Sequence, residues 1–138
     1  MSTKIFVNLP VKDLNKSVGF YTKLGFSVNP QFTDETAACL VISDDIYAML
    51  LTHAKFKEFT NKEIVDSTKG TEVILGLSAE SKEKVSETVK KAIEAGGKES
   101  AEARDYGFMY QRSFQDLDGH LWEVLWMNPA HIQPSYPG

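Results

Sequence analysis

The chain has one cysteine, Cys39, among 138 residues, which excludes an internal disulfide and any thiolate metal cluster. A reducing cytoplasm is the expected compartment. No apolar run approaches the roughly 18 residues of a spanning helix, and Lys4 leads into a short strand pattern where a leader would carry a long hydrophobic stretch. Neither a membrane anchor nor export is expected. Positive charge is not in excess: 15 Lys and Arg stand against 19 Asp and Glu, interspersed, for a net charge of −4. Without a basic stripe, nucleic acid is not the expected partner. Phosphate-cradling glycines are missing too, since Gly96 and Gly97 close a helical pattern and do not open one. No nucleophile elbow is present.

The composition, 42% apolar and 25% charged, is that of an ordinary folded domain. A chain this long buries roughly two-thirds of its unfolded surface, enough for one core without staples. Ile5, Val7 and Leu9 alternate with Phe6, Asn8 and Pro10, which predicts a strand. Asp13 is placed to cap a helix carrying Leu14, Val18, Tyr21 and Leu24 at helical spacing, and Gly25 to end it. Segments 26–32, 36–43 (which holds Cys39) and 46–53 then read as strands, with Asp44 and Asp45 as the turn between the last two. A helical turn over 54–60, where Phe56 and Phe59 either gate a cavity or close the core, precedes a polar connector over 61–70.

The second half repeats the order. Val73, Leu75 and Leu77 alternate with Glu72, Ile74 and Gly76, and Ser81 caps a helix with Val85, Val89, Ala92 and Ile93 on one side. A shift of 68 residues superposes Phe6 on Ile74, Leu9 on Leu77 and Asp13 on Ser81. Segment 98–104 is a weaker strand pattern, and a hairpin follows over 108–115 and 120–127. Its turn, Asp116-Leu117-Asp118-Gly119, has a carboxylate to accept backbone amides and a glycine for positive φ. Counting back from Asp116 opposite His120 pairs Ser113 with Glu123 and Gln111 with Leu125. One face then holds Phe114, Trp122, Val124 and Trp126, and the other Gln111, Ser113, Leu121, Glu123 and Leu125. Glu123 stands out, because a carboxylate among apolar neighbours must be paired, face water or line a cavity. Arg112 falls on the other side, its stem covering apolar surface.

The run Val11-Lys12-Asp13-Leu14, then Ser17-Val18-Gly19-Phe20-Tyr21 and Leu24-Gly25-Phe26, together with Asp116-Leu117-Asp118-Gly119-His120-Leu121-Trp122-Glu123, resembles the vicinal oxygen chelate superfamily. That group contains glyoxalase I, bleomycin-resistance proteins, fosfomycin-resistance enzymes and extradiol dioxygenases. The turn usually has Pro where this chain has Leu117. The resemblance spans almost the whole chain and implies an α+β fold. Two βαβββ modules, about 1–60 and 70–128, would form one cup-shaped mixed sheet with helices outside, followed by a tail over 129–138. It also implies ligand binding inside the cup and a homodimer.

Metal enzymes of the superfamily carry His or Glu at four strand positions facing the cup. By the resemblance these are Phe6, Ile74, a residue near Leu50 with Met49 and Leu51 beside it, and Glu123. Only Glu123 is a ligand type, and a catalytic divalent ion needs about three protein ligands, so no metal or other cofactor is expected. Of the histidines, His53 would end the fourth strand on the side away from Leu50, His120 begins the last strand, and His131 lies in the tail with Pro129, Pro134, Tyr136 and Pro137. The expected site is an apolar pocket for a small organic ligand, with Glu123 as the reactive group. Phe6, Asn8, Leu50, Ile74, Gln111, Ser113 and Leu121 would contact the ligand, with Glu72 and Met109 nearby. Three functions follow: a metal-free small-molecule binder of the bleomycin-resistance kind, a lyase, isomerase or dioxygenase using Glu123 as general base or metal ligand, and an interaction subunit with a collapsed cup.

Overall fold

Alternation of Val7, Leu9 and Val11 against Phe6, Asn8 and Pro10 produces β1 (Ile5–Val11) in the computed structural model, which describes residues 2–131. α1 (Leu14–Leu24) starts where Asp13 Oδ1 accepts the Lys16 backbone N–H at 3.1 Å, and ends at Gly25 with φ 109°. β2 (Ser27–Asn29), β3 (Ala37–Val41) and β4 (Ile46–Thr52) complete the first module, and α2 (His53–Phe56) follows directly. The second module contains β5 (Ile74–Ser78), α3 (Lys82–Glu94), β6 (Lys98–Glu99), β7 (Arg104–Asp105), β8 (Met109–Gln115) and β9 (Leu121–Met127).

The two modules share one topology. Strand order is β1-β4-β3-β2 in the first and β5-β9-β8-β6 in the second, with β7 also pairing β8. In each, the first and last strands run parallel and the others antiparallel. The α+β class and the recurrence of βαβββ units agree with the sequence. The strands nevertheless form two open sheets and not a single curled one: among the described residues no strand of one sheet pairs with a strand of the other. The modules meet through α1 and α3.

One core joins the helix-facing sides of both sheets. Leu9, Val11, Leu40 and Leu50 come from the first sheet, Phe114, Trp122 and Val124 from the second, and Phe20, Tyr21, Val85 and Val89 from the helices. Burying a side chain of this size contributes roughly 1.5–3 kcal/mol.

Several local expectations are corrected. Pro30 cuts the second strand short, and 30–32 form a 3-10 turn. His53 opens α2 instead of ending β4, because the Thr52 hydroxyl caps that helix at the Lys55 N–H. Segment 98–104 divides into two two-residue edge strands. Ile93 is 44% exposed on α3, off the face that buries Val85, Val89 and Ala92. Pro129–His131 is a 3-10 turn, and the tail residues Pro134, Tyr136 and Pro137 lie outside the described residues.

Candidate functional site

The β8–β9 turn positions the site, and the structure builds it as its residues require. Asp116 Oδ1 accepts the backbone N–H groups of Asp118 at 3.0 Å and His120 at 2.8 Å, while Gly119 takes φ 91°. A Cβ on Gly119 would also lie 2.6 Å from the Ser67 carbonyl oxygen, so the connector and the turn approach closely only because this residue is glycine.

The turn does more than reverse the chain. Tyr21 of α1 donates its hydroxyl proton to Asp116 Oδ2 and accepts the Trp122 Nε1–H at 3.0 Å. Asp118 accepts the Lys12 N–H at 2.8 Å and the Ser17 hydroxyl at 3.3 Å, and His120 Nε2–H donates to the Pro10 carbonyl at 2.7 Å. The two sequence motifs are therefore in contact, and together they clamp one module to the other. Burial pushes the Asp116 carboxyl above its ordinary range, opposed by the nearby His120 charge. Burial, aided by the Asp116 charge, pushes the Tyr21 phenol well up.

From this turn the hairpin register follows as expected: Ser113 pairs with Glu123, Gln111 with Leu125 and Gln115 with Leu121. β5 adds Ile74 beside Leu121, Gly76 beside Glu123 and Ser78 beside Leu125. Directly opposed residues of a ladder share a face. The face away from the helices therefore consists of three rows: Ile74-Leu121-Gln115, Gly76-Glu123-Ser113 and Ser78-Leu125-Gln111. Glu123 sits at the centre of the middle row. A Cβ on Gly76 would meet only Leu125 Cδ2, at 3.8 Å, so the space beside the carboxylate is open. Glu123 makes no ion pair and no side-chain hydrogen bond among the described residues.

Five of the expected site residues, Ile74, Gln111, Ser113, Leu121 and Glu123, thus share one face. Phe6 and Asn8 lie on the corresponding face of the first sheet, where Phe6 stacks on Tyr47 with ring centroids 4.8 Å apart. Leu50 does not join them. It is fully buried in the core beside Leu9 and Ala48. Topological equivalence shows the slip: Met49 pairs with Asn8 as Glu123 pairs with Gly76, so Met49 is the counterpart of Glu123. Asn8 and Glu72 also line a cavity of about 320 Å³ under the connector, together with Phe56, Val65, His120 and Leu121. Arg112 points to the helix side, as expected, where Glu99 pairs with it at 3.0 Å.

Comparisons with known proteins agree with this architecture. Residues 3–43 match the family model described as bleomycin resistance protein-like N-terminal. The structure of hypothetical protein SA1046 from S. aureus is 32% identical, with 91% of this chain and 94% of that chain covered and a TM-score of 0.76. This chain belongs to the vicinal oxygen chelate superfamily. Other superfamily structures share the fold at lower identity. A glyoxalase/bleomycin resistance protein/dioxygenase family enzyme from Burkholderia phytofirmans PsJN is 17% identical, covering 91% and 99% of the two chains with a TM-score of 0.75. The fosfomycin resistance protein FosX from Listeria monocytogenes is 20% identical, covering 98% and 96% with a TM-score of 0.67. No protein of curated function matches the sequence.

The divalent metal implied by the vicinal oxygen chelate superfamily does not fit this donor set. The four positions that the resemblance gives to metal ligands fall on Phe6, Met49, Ile74 and Glu123, and the first three offer no ligating oxygen or nitrogen. No group of three or more His, Cys, Asp or Glu among the described residues is arranged to hold an ion. The histidines do not replace the missing ligands: His53 opens α2, His120 is engaged with Pro10, and His131 stands beside Phe108 at 5.4 Å. No helix among the described residues is long and apolar enough to cross a membrane.

Proposed function

We propose that this protein binds a small organic molecule, without metal, on the open face of the second sheet around Glu123. The observation that carries the reading is a single unpaired carboxylate at the centre of a face walled by Ile74, Leu121 and Leu125, with Gly76 leaving room beside it. Apolar walls with a few orienting polar groups are the usual make-up of a ligand site, and Ser113 and Gln111 supply donors and acceptors next to the carboxylate.

The working unit is a homodimer in the cytoplasm. Phe6 and Ile74 are 52% and 53% exposed on the two open faces, and a second copy covering them removes apolar surface worth on the order of 1 kcal/mol each. Such a pairing sets an open face of one chain over that of another and encloses the ligand. The lone, buried Cys39 has no partner in the chain, and a reducing compartment suits such a thiol.

A second reading rests on the same carboxylate. With no cation or hydroxyl holding it among the described residues, Glu123 is free to abstract a proton from a bound carbon acid, as a lyase or isomerase requires. Binding is common to both readings, and amide chemical shifts test it. In an isotope-labelled sample titrated with a fragment set, saturable shifts are expected at Ile74, Ser113, Glu123 and Leu125, and sedimentation equilibrium should give twice the chain mass. Shifts confined to the connector cavity, or none at all, would overturn the proposal.

A further inference from the structure

The ligand's charge is legible from residues that the hairpin alone does not reveal. β6 and β7 extend the two outer rows. Lys98 pairs with Gln115, and Arg104 pairs with Gln111. Both therefore project from the same face as Glu123, one at the end of each outer row. The neighbouring residues verify the phase: Glu99 and Asp105, next along the chain, turn to the helix side, where they pair with Arg112 at 3.0 Å and Lys82 at 3.4 Å.

Charges on the two sides of this sheet are used differently. On the helix side Arg112 and Lys82 are paired with Glu99 and Asp105. On the open face, Lys98, Arg104 and Glu123 form no ion pair among the described residues. Strand spacing of about 4.8 Å and a rise of about 3.4 Å per residue put each cation's Cα about 12 Å from that of Glu123. Gln111, Ser113 and Gln115 of β8 fill the interval with uncharged donors and acceptors. The two cations stand together at the β6 and β7 edge of this face, while its acids, Glu123 on β9 and Glu72 ahead of β5, lie away from that edge.

Resting on the reading that this face binds an organic molecule, we infer that the ligand carries an oxyanion, a carboxylate, sulfonate or phosphate group. Lys98 and Arg104 hold that group at the outer edge, while the ligand's apolar body lies over Leu121 and Leu125 with a polar hydrogen toward Glu123. Arg104 offers a planar fork suited to an oxyanion, and Lys98 adds a point charge. The two cations are specificity-determining residues, and Glu123 excludes ligands that would place a second anion at the centre.

Two dyes of nearly the same shape test this: anionic 1-anilinonaphthalene-8-sulfonate and neutral N-phenyl-1-naphthylamine, titrated by fluorescence into the full chain. The sulfonate is expected to bind more tightly. In the double variant Lys98→Gln/Arg104→Gln its affinity should fall on the order of tenfold, with the neutral dye changed less than about twofold. Gly76→Leu, which fills the space beside Glu123 without a backbone clash, should abolish both. If both dyes bind and Gly76→Leu blocks both, but the double variant weakens them equally or not at all, the charge inference is wrong while the binding site stands. If neither dye saturates, or Gly76→Leu leaves both unaffected, the site reading itself fails and the inference falls with it.

Discussion

Asp116→Ala should lower the stability of this protein by about 3–5 kcal/mol, a large part of the 5–15 kcal/mol that holds a typical domain together. The substitution removes the acceptor for three donors at once: the Tyr21 hydroxyl and the backbone N–H groups of Asp118 and His120. Each is then left without its partner in a buried or partly buried turn, and an unsatisfied group costs about 1–3 kcal/mol. For a chain of this size the melting temperature should fall by roughly 10–20 °C. Tyr21→Phe is the companion variant. It removes a hydroxyl that both donates to Asp116 and accepts from Trp122, at a cost of about 2–3 kcal/mol. The tyrosine also has a pH signature. Its phenol is raised well above 10.0 in the folded chain, so its contribution is complete below the unfolded value and is lost as pH climbs beyond it. Denaturant midpoints measured from pH 8 upward should decline more steeply above about pH 10 in the wild type than in Tyr21→Phe. Parallel curves would show that Tyr21 is not held as described.

The second large effect concerns the metal that the donor set does not accommodate. Placing ligands at the three apolar positions, as Phe6→His, Met49→Glu and Ile74→His, should raise zinc affinity on the order of a thousandfold over the wild type. Phe6 and Ile74 are exposed and Met49 is only partly buried, so the fold should tolerate the changes. The expected stoichiometry is one ion per chain, and restoring any one of the three residues should weaken the binding. Equilibrium dialysis with zinc reads this directly. An unchanged affinity in the triple variant would mean that these positions do not converge with Glu123 on one site.

The share of the fold that the sequence makes legible differs from segment to segment. The hairpin register was readable because Asp116 and Gly119 fix the turn, and a fixed turn fixes every pair behind it. Helices α1 and α3 were readable from Asp13, Gly25 and Ser81. β4 was not readable in phase: Ala48, Leu50 and Leu51 are all buried, so its pattern lacks the alternation that would have separated Met49 from Leu50. Tyr47, the stacking partner of Phe6, was missed for the same reason. Lys98 and Arg104 escaped notice because two-residue edge strands carry no periodicity, and their role emerges only from what they pair with. The clamp from Tyr21 to Asp116 spans 95 residues of sequence, and no local signal reports such a contact. The division into two sheets is likewise a matter of which edges meet, which alternation along a strand does not encode.

In the proposed function Glu123 marks a face where an organic ligand, and not a metal, is held. The most direct test is a crystal structure of the purified protein grown with the tightest-binding fragment and with zinc in the medium. The expected result is ligand density over Leu121 and Leu125, a polar atom within hydrogen-bond distance of the Glu123 carboxylate, and a second copy of the chain closing the face. A zinc ion on Glu123, or an open face with the fragment bound elsewhere, would contradict it.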